Sequence, residues 1–238
     1  MSKNVPIAVG QTVRVDGDEF VHAVKVSRYK VGYKLILSNG DGYDYFATVT
    51  AIEKDAFFAL VYSAEKNANE LSAPLALYMC AIEKSDVAVQ KATEIGATEI
   101  HLLISRFTNA KKQSVDRLKK IALESAKQCG RAVVPEIFEP VSFEEGVEDA
   151  LDRFDVCVFA YELAKEGRVS NCLTPQTSSV AVIVGSEGGF HPEEVEFAKE
   201  RGVKVVTLGK RILRAETASI VTLALVADQL EKYESSRD

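Results

Sequence analysis

V-A-V-I-V-G-S-E-G-G-F-H-P-E-E (Val180–Glu194) and K-V-V-T-L-G-K-R-I-L-R-A-E-T-A (Lys204–Ala218) are the two stretches that decide the fold. The first is a β-branched run that stops at Gly185 and turns through Gly185-Ser186-Glu187-Gly188-Gly189. It then starts a helix at His191-Pro192, with Glu193 and Glu194 in the first turn. The second is a strand, Lys204 to Leu208, that ends at Gly209 and runs through the basic loop Lys210-Arg211-Ile212-Leu213-Arg214 into the last helix. Apolar strands that break at glycine and lead into helices are βα units. Two such strand ends side by side form a crevice at the carboxyl edge of an open sheet.

Upstream the same alternation continues. Leu75 to Ala81, Glu99 to Ile104 and Asp155 to Ala160 read as buried strands. Ser85 is placed to cap a helix carrying Val87, Ala88, Ala92 and Ile95 that stops at Gly96. A further helix sets Val115, Leu118, Ile121, Ala122 and Ser125 on one face and ends at Gly130. The last helix, Glu216 to about Leu230, is apolar on most faces and is expected to be largely buried. The expectation is an α/β domain on a parallel sheet.

The first part of the chain differs. Thr12 to Val15, Lys34 to Leu37, Tyr45 to Ile52 and Phe57 to Tyr62 are short β-favouring runs, with Asn39-Gly40-Asp41-Gly42 as a hairpin turn between two of them. Short strands at this spacing suggest a small β-barrel. The polar segment Lys66 to Pro74 places the boundary between domains 1–72 and 73–238.

With 47% hydrophobic and 27% charged residues, the composition is that of a globular protein. A net charge of -6 argues against a protein that coats nucleic acid in general, but leaves room for a local basic face. Glu83 to Pro135 holds ten Lys and Arg against six acids, whereas Glu136 to Glu162 holds nine acids and one arginine. That asymmetry suits a polyanionic partner, although a solvated helix face gives the same pattern. Cys80, Cys129, Cys157 and Cys172 form no CxxC pair, and His22, His101 and His191 have no ligand spacing, so no metal site is expected. No run has the length of a membrane span and MSKNVPIAVG lacks a signal-peptide core, so the expected location is cytoplasmic.

The glycine loop lacks the Gly-Lys-Ser/Thr ending of a phosphate loop and the spacing of a dinucleotide fingerprint. A nucleophile elbow needs glycine two residues to each side of its serine, and Val184 stands on one side of Ser186. By itself the loop reads as a tight turn rather than a site. The second loop places Ile212 and Leu213 between Arg211 and Arg214, a pattern that suits a flat heteroaromatic ring such as adenine held by main-chain groups. Glu216 and Thr217 also serve as a helix start in a purely structural reading.

Taken as a pair, G-S-E-G-G-F and L-G-K-R-I-L-R-A-E-T-A resemble the cofactor loops of the knotted SPOUT methyltransferases, most closely the RsmE family, which methylates N3 of a uridine in 16S ribosomal RNA near the decoding centre. The resemblance covers nearly the whole chain. V-H-A-V-K-V-S-R-Y-K-V-G (Val21–Gly32) resembles the family's N-terminal PUA-like barrel, with His22 and Arg28 at matching positions. V-A-V-Q-K-A-T-E-I-G-A (Val87–Ala97) resembles its first helix, and E-S-A-K-Q-C-G-R-A-V-V-P-E-I (Glu124–Ile137) its central signature. Three positions depart from the pattern. Ser186 replaces the usual proline, His191 stands where Ser or Thr caps the helix, and Ile104-Ser105-Arg106-Phe107 keeps the arginine but loses the glutamate before it.

The resemblance implies a C-terminal trefoil knot, an exception to unknotted chain topology. It implies S-adenosylmethionine bound by Gly185, Glu187, Gly188, Leu208, Gly209, Ile212, Leu213, Arg214, Thr217 and Ala218, with Tyr161, Glu162 and Leu163 as a third wall. Arg214 is the first choice for stabilising an anionic uracil, and Glu187 or Glu216 for a base or a group orienting the sulfonium. RNA contacts are expected from Arg14, Lys25, Arg28 and Lys30 in the barrel and from Arg106, Lys111, Lys112, Lys119, Lys127 and Arg131 beyond it. A homodimer acting on the small ribosomal subunit is implied as well. The alternatives are another SPOUT enzyme, acting on transfer RNA or a ribose hydroxyl, and a non-catalytic RNA-binding protein of ribosome assembly.

Overall fold

The computed structural model describes residues 6–108 and 114–236; Lys111 and Lys112 lie outside them. Two compact units form: Met1–Glu70 with Gly130–Val133, and Leu71–Cys129 with Val134–Asp238.

In the N-terminal unit, β1 (Thr12–Asp16), β2 (Lys34–Leu37), β3 (Tyr43–Ile52) and β4 (Ala56–Lys66) pair antiparallel in the order β1-β4-β3-β2. Alternation sends Tyr45, Ala47 and Val49 of β3 inward against Phe57, Ala59 and Val61 of β4. Two register shifts in β3, between Phe46 and Ala47 and between Val49 and Ala51, interrupt the ladder. β1 and β2 stand at opposite ends of this path. A helical stretch absent from the sequence reading, α1 (Gly17–Phe20) continuing as a π-helix over Val21–Val26, adds Phe20 and Ala23 to the core. The hairpin loop forms as its residues predict: Asp41 N donates to Asn39 Oδ1 and Tyr43 N to Asp41 Oδ1, with Gly40 at φ 92° and Gly42 at φ 85°.

Segment 130–133 joins this unit through a buried ion pair. Arg131 Nη2 lies 2.6 Å and Nε 3.0 Å from Glu70 Oε2, and Val133 N donates to Glu70 Oε1 at 2.8 Å.

The C-terminal unit is built on β5 (Leu75–Cys80), β6 (Glu99–Ile104), β7 (Glu136–Ile137), β8 (Val141–Ser142), β9 (Val156–Ala160), β10 (Val180–Val184) and β11 (Lys204–Val206). Every pairing is parallel, in the order β11-β9-β10-β5-β6-β7, with β8 also on β6. β5 and β10 are buried at every residue, as strands covered on both faces must be. One face packs on α2 (Ser85–Ile95), α3 (Val115–Cys129) and α6 (Ala215–Glu234), the other on α4 (Phe143–Arg153) and α5 (Pro192–Glu200). α4 is also absent from the sequence reading, although Ser142 and Glu145 form a reciprocal capping box at its start. Lys84, not Ser85, occupies the N-cap of α2; the Ser85 hydroxyl donates to Ile82 O at 2.8 Å instead.

The chain order produces a crossing. The connection from β9 to β10 packs Val169 and Leu173 on the same face as α6. β11 lies beyond β9 at the sheet edge, yet the helix that follows it packs against β10 and β5, so the chain must return past that connection. On the way Thr207 N donates to Gly167 O at 3.2 Å, and further on Tyr233 Oη donates to Leu173 O at 3.1 Å. The connections β9-to-β10 and β11-to-α6 therefore lie against each other at one end of the sheet.

Candidate functional site

The carboxyl ends of β5, β9, β10 and β11 point the same way, so the loops after them share one edge of the C-terminal unit. Glu83 N, after β5, donates to Glu187 Oε1 in the glycine loop at 3.3 Å. Lys84 Nζ pairs with Glu216 Oε1 in the first turn of α6 at 3.4 Å. Tyr161 N, after β9, donates to Val206 O at 3.1 Å. A Cβ on Gly189, whose φ is +72°, would stand 2.3 Å from Glu162 Oε1. Residues expected from three separate stretches are thereby brought together: 161–163, 185–189 and 207–218.

The glycine loop is shaped by the protein's own packing. Gly185 faces the Phe190 ring, where a Cβ would approach Cε2 to 2.8 Å, and Gly188 faces Phe107, where a Cβ would lie 2.9 Å from that residue's Cβ. Ser186, buried, donates its hydroxyl to Phe107 O at 3.1 Å, a bond that the usual proline at this position is unable to make. His191 caps α5: Glu193 N donates to its Nδ1 at 3.3 Å, and Glu194 Oε2 accepts from His191 N at 2.8 Å. The imidazole thus performs the task of the family's Ser or Thr.

The loop after β11 differs in kind. Thr207 Oγ1 holds Gly209 N at 3.2 Å, and Gly209 takes φ 116°. Lys210, Arg211, Ile212 and Leu213 then make no hydrogen bond within the described residues, main chain included. A run of backbone groups without partners, beside an Ile212 side chain that is 82% exposed and a Leu163 that is 67% exposed, offers donors, acceptors and apolar surface to a ligand. A donor set of this kind could hold a flat heteroaromatic ring, and the carboxylates of Glu162 and Glu187 lie beside the glycine loop, where they could face a cationic group. Among the described residues no group of three or more His, Cys, Asp or Glu is arranged to hold a metal ion.

The RNA methyltransferase domain family matches residues 67–227, and the RNA methyltransferase PUA domain family matches residues 15–62. The chain is 31% identical over 236 residues to ribosomal RNA small subunit methyltransferase E of Bacillus subtilis, covering 92% of this chain and 91% of that one. The chain belongs to the RsmE family of RNA methyltransferases. Its fold is that of ribosomal RNA small subunit methyltransferase E from Neisseria gonorrhoeae, solved with bound S-adenosyl methionine (TM-score 0.82, 27% identity, 92% of each chain). It is equally similar to a putative methyltransferase of Legionella pneumophila in complex with the same cofactor (TM-score 0.83, 25% identity, 95% of each chain).

In this RsmE family member the charged residues divide sharply. Lys210, Arg211 and Arg214 have no ion pair among the described residues, and Arg214 stands at the N-cap of α6 without a side-chain cap bond. Glu216, by contrast, is held by Lys84 and only 12% exposed at its side chain. In the N-terminal unit Lys25, Arg28 and Lys30 are exposed, with Arg28 in the left-handed region at φ 57°, whereas Arg14 pairs with Asp16 and lies 3.7 Å from Asp55. Beyond it, Lys119 is exposed and Lys127 pairs with Glu124 at 2.9 Å. Arg131 has a side chain 2% exposed, so it serves the fold of its unit; sequence alone read it as a surface cation. Arg106 is likewise committed, 2.5 Å from Glu193 Oε2 and 3.1 Å from His191 Nδ1.

Sequence reasoning missed Glu83, Lys84 and Phe107. The first two follow the β5 run directly, so the rule that ligands gather beyond strand carboxyl ends was the available signal. Phe107 carries no such signal.

Proposed function

We propose that this chain, a ribosomal RNA methyltransferase by its family, moves the methyl group of S-adenosylmethionine to N3 of a uridine in the 16S RNA of the small subunit, near the decoding centre. The observation that carries the reading is the loop 207–214, where among the described residues the main chain from Lys210 to Leu213 has no hydrogen-bond partner and the Arg214 guanidinium no ion pair. In this reading Leu208, Gly209, Ile212, Leu213, Thr217 and Ala218 hold the cofactor with Gly185, Glu187, Gly188 and the 161–163 wall.

The cofactor, when bound, supplies an electrophilic methyl on a sulfonium. The uracil ring is a weak nucleophile while N3 keeps its proton, so the chain's task is to favour the anion and to hold N3 in line. Arg214 is the cation for that anion, because among the described residues no carboxylate neutralises it. Glu187, which has one oxygen on Glu83 N, is better placed to accept a proton or face the sulfonium than Glu216, whose charge Lys84 already offsets. Lys25, Arg28, Lys30 and Lys119 take phosphates, together with Lys210 and Arg211.

A homodimer accompanies this reading. α6 buries Ala215, Ser219, Thr222, Leu223, Val226, Ala227 and Leu230 in its own chain but leaves Leu225 46% exposed, apolar surface that a second copy would cover. No helix of the described residues is long and apolar enough to cross a membrane, and a small-subunit substrate places the enzyme in the cytoplasm.

The test is methyl transfer from labelled cofactor to small subunits lacking the modification, with the product nucleoside identified. 3-Methyluridine is expected; label on a ribose, or on transfer RNA alone, overturns the reading.

A further inference from the structure

We infer that Phe107 is the residue on which a base of the RNA stacks as the target enters the site; this rests on the RNA-methylation reading above.

The loop after β6 is a tight, pre-formed turn. Ser105 N donates to Thr108 Oγ1 at 2.9 Å, and Thr108 N to Ser105 O at 3.0 Å, which puts Arg106 and Phe107 at its apex. The turn is pinned to the glycine loop from below. Arg106 N donates to Glu194 Oε1 at 2.9 Å, and the buried Glu194 carboxylate also holds the start of α5 through its other oxygen. Ser186 Oγ donates to Phe107 O, and Gly188 lacks the Cβ that would collide with Phe107 Cβ.

The two apex residues then part. The Arg106 guanidinium is spent on Glu193 and His191, so its charge is offset within the protein. The Phe107 ring remains 44% exposed, with the His191 ring 5.8 Å away and tilted by 58°. A phenyl group fixed at its backbone, part exposed and held against Ser186 and Gly188 on either side of Glu187, costs little entropy to bind against. A base leaving its helical stack to reach a methyl donor loses stacking, and an aromatic side chain at the entrance restores it. Aromatic stacking accepts any base, so Phe107 contributes affinity and position, while groups deeper in the site choose uracil.

The experiment uses the full chain with Phe107→Ala, Phe107→Leu and Phe107→Trp. The natural sequence contains no tryptophan, so Phe107→Trp also carries a single fluorescent reporter. Phe107→Ala is expected to lower kcat/KM for small subunits by roughly tenfold or more. Its affinity for S-adenosylmethionine by calorimetry should stay within about twofold, since the cofactor loops keep their contacts. Phe107→Leu should remain impaired and Phe107→Trp should recover, and the indole emission should be quenched when small subunits bind. If Phe107→Ala unfolds, the Leu and Trp variants, which keep the volume, decide. Equal activity in Leu and Trp, a parallel loss of cofactor affinity, or unquenched emission on a bound subunit each overturn the stacking role. Wild-type protein that transfers no methyl to small subunits overturns the underlying reading; wild-type activity with an unaffected Phe107→Ala overturns Phe107 alone.

Discussion

Arg131 reaches Glu70 with its side chain almost wholly buried, while Arg214 stands exposed at the head of α6 with no ion pair among the described residues. Losing the first strands a buried carboxylate. Arg131→Ala is therefore expected to destabilise the chain by about 3 kcal/mol, read as a lower urea midpoint. A midpoint equal to wild type would return Arg131 to the surface cations. Losing Arg214 removes a charge used only while the uracil is anionic. Arg214→Ala should lower kcat by about 100-fold or more while cofactor affinity stays near wild type. Equal losses in turnover and affinity would make Arg214 a cofactor ligand only. The cysteines ask for no such role: burial pushes the Cys80 thiol up to about 11 and Cys157 to about 12, values at which little thiolate forms.

At the scale of elements, β5, β6 and α4 meet at a buried histidine. His101 is stacked between Tyr78 and Phe138, with ring centroids 4.1 Å apart on each side. Glu99 Oε2 is 3.0 Å from its Nε2 and Asp149 Oδ2 3.8 Å from its Nδ1, while Arg153 bonds to both carboxylates. Burial outweighs the pull of Glu99 and Asp149 and leaves the imidazole below its ordinary 6.5. Above that pH both folded and unfolded chains carry it neutral. Below it the unfolded chain gains a proton that the folded chain refuses, so stability falls with pH, by at most about 1.4 kcal/mol per unit from this group. The urea midpoint should drop between pH 7.5 and 5.5, and Phe in place of His101 should flatten part of that drop; an unchanged slope in the variant would refute the assignment. Five of the seven strands and most helices of this unit were legible because they are bounded by a glycine or a cap and carry a single period, whereas the two-residue strands β7 and β8 are too short to show one. α4 was not, since its run of acids reads as a solvated segment and its apolar stripe, Phe143, Val147 and Ala150, gains meaning only against Phe159 and Phe190. The helical stretch 17–26 was lost for a similar reason: Val21, Val24 and Val26 favour strands, and the packing of Phe20 and Ala23 decides otherwise.

For the whole molecule, a net charge of -6 coexists with cations such as Lys210 and Arg211 that have no ion pair among the described residues. Binding to small subunits should weaken as salt rises, and Lys210→Ala and Arg211→Ala should each reduce the slope of log K against log salt by about one. A slope untouched by both substitutions would remove them from the interface. Sedimentation at micromolar concentration should give twice the 26.0 kDa of one chain, and Leu225→Glu should shift it toward one. A wild-type monomer would refute the dimer.

The parallel sheet and the strands β5, β6, β9, β10 and β11 were legible from residues close in sequence: β-branched runs, the glycines that end them and the helix starts that follow. Which charges remain available was not. Arg106, Arg131 and Arg214 are alike in the one-dimensional chain, and only folding brings Glu193 and His191 to the first and Glu70 to the second, while among the described residues no carboxylate reaches the third. Charge availability depends on partners far apart in sequence, and pairing them needs the chain to be threaded.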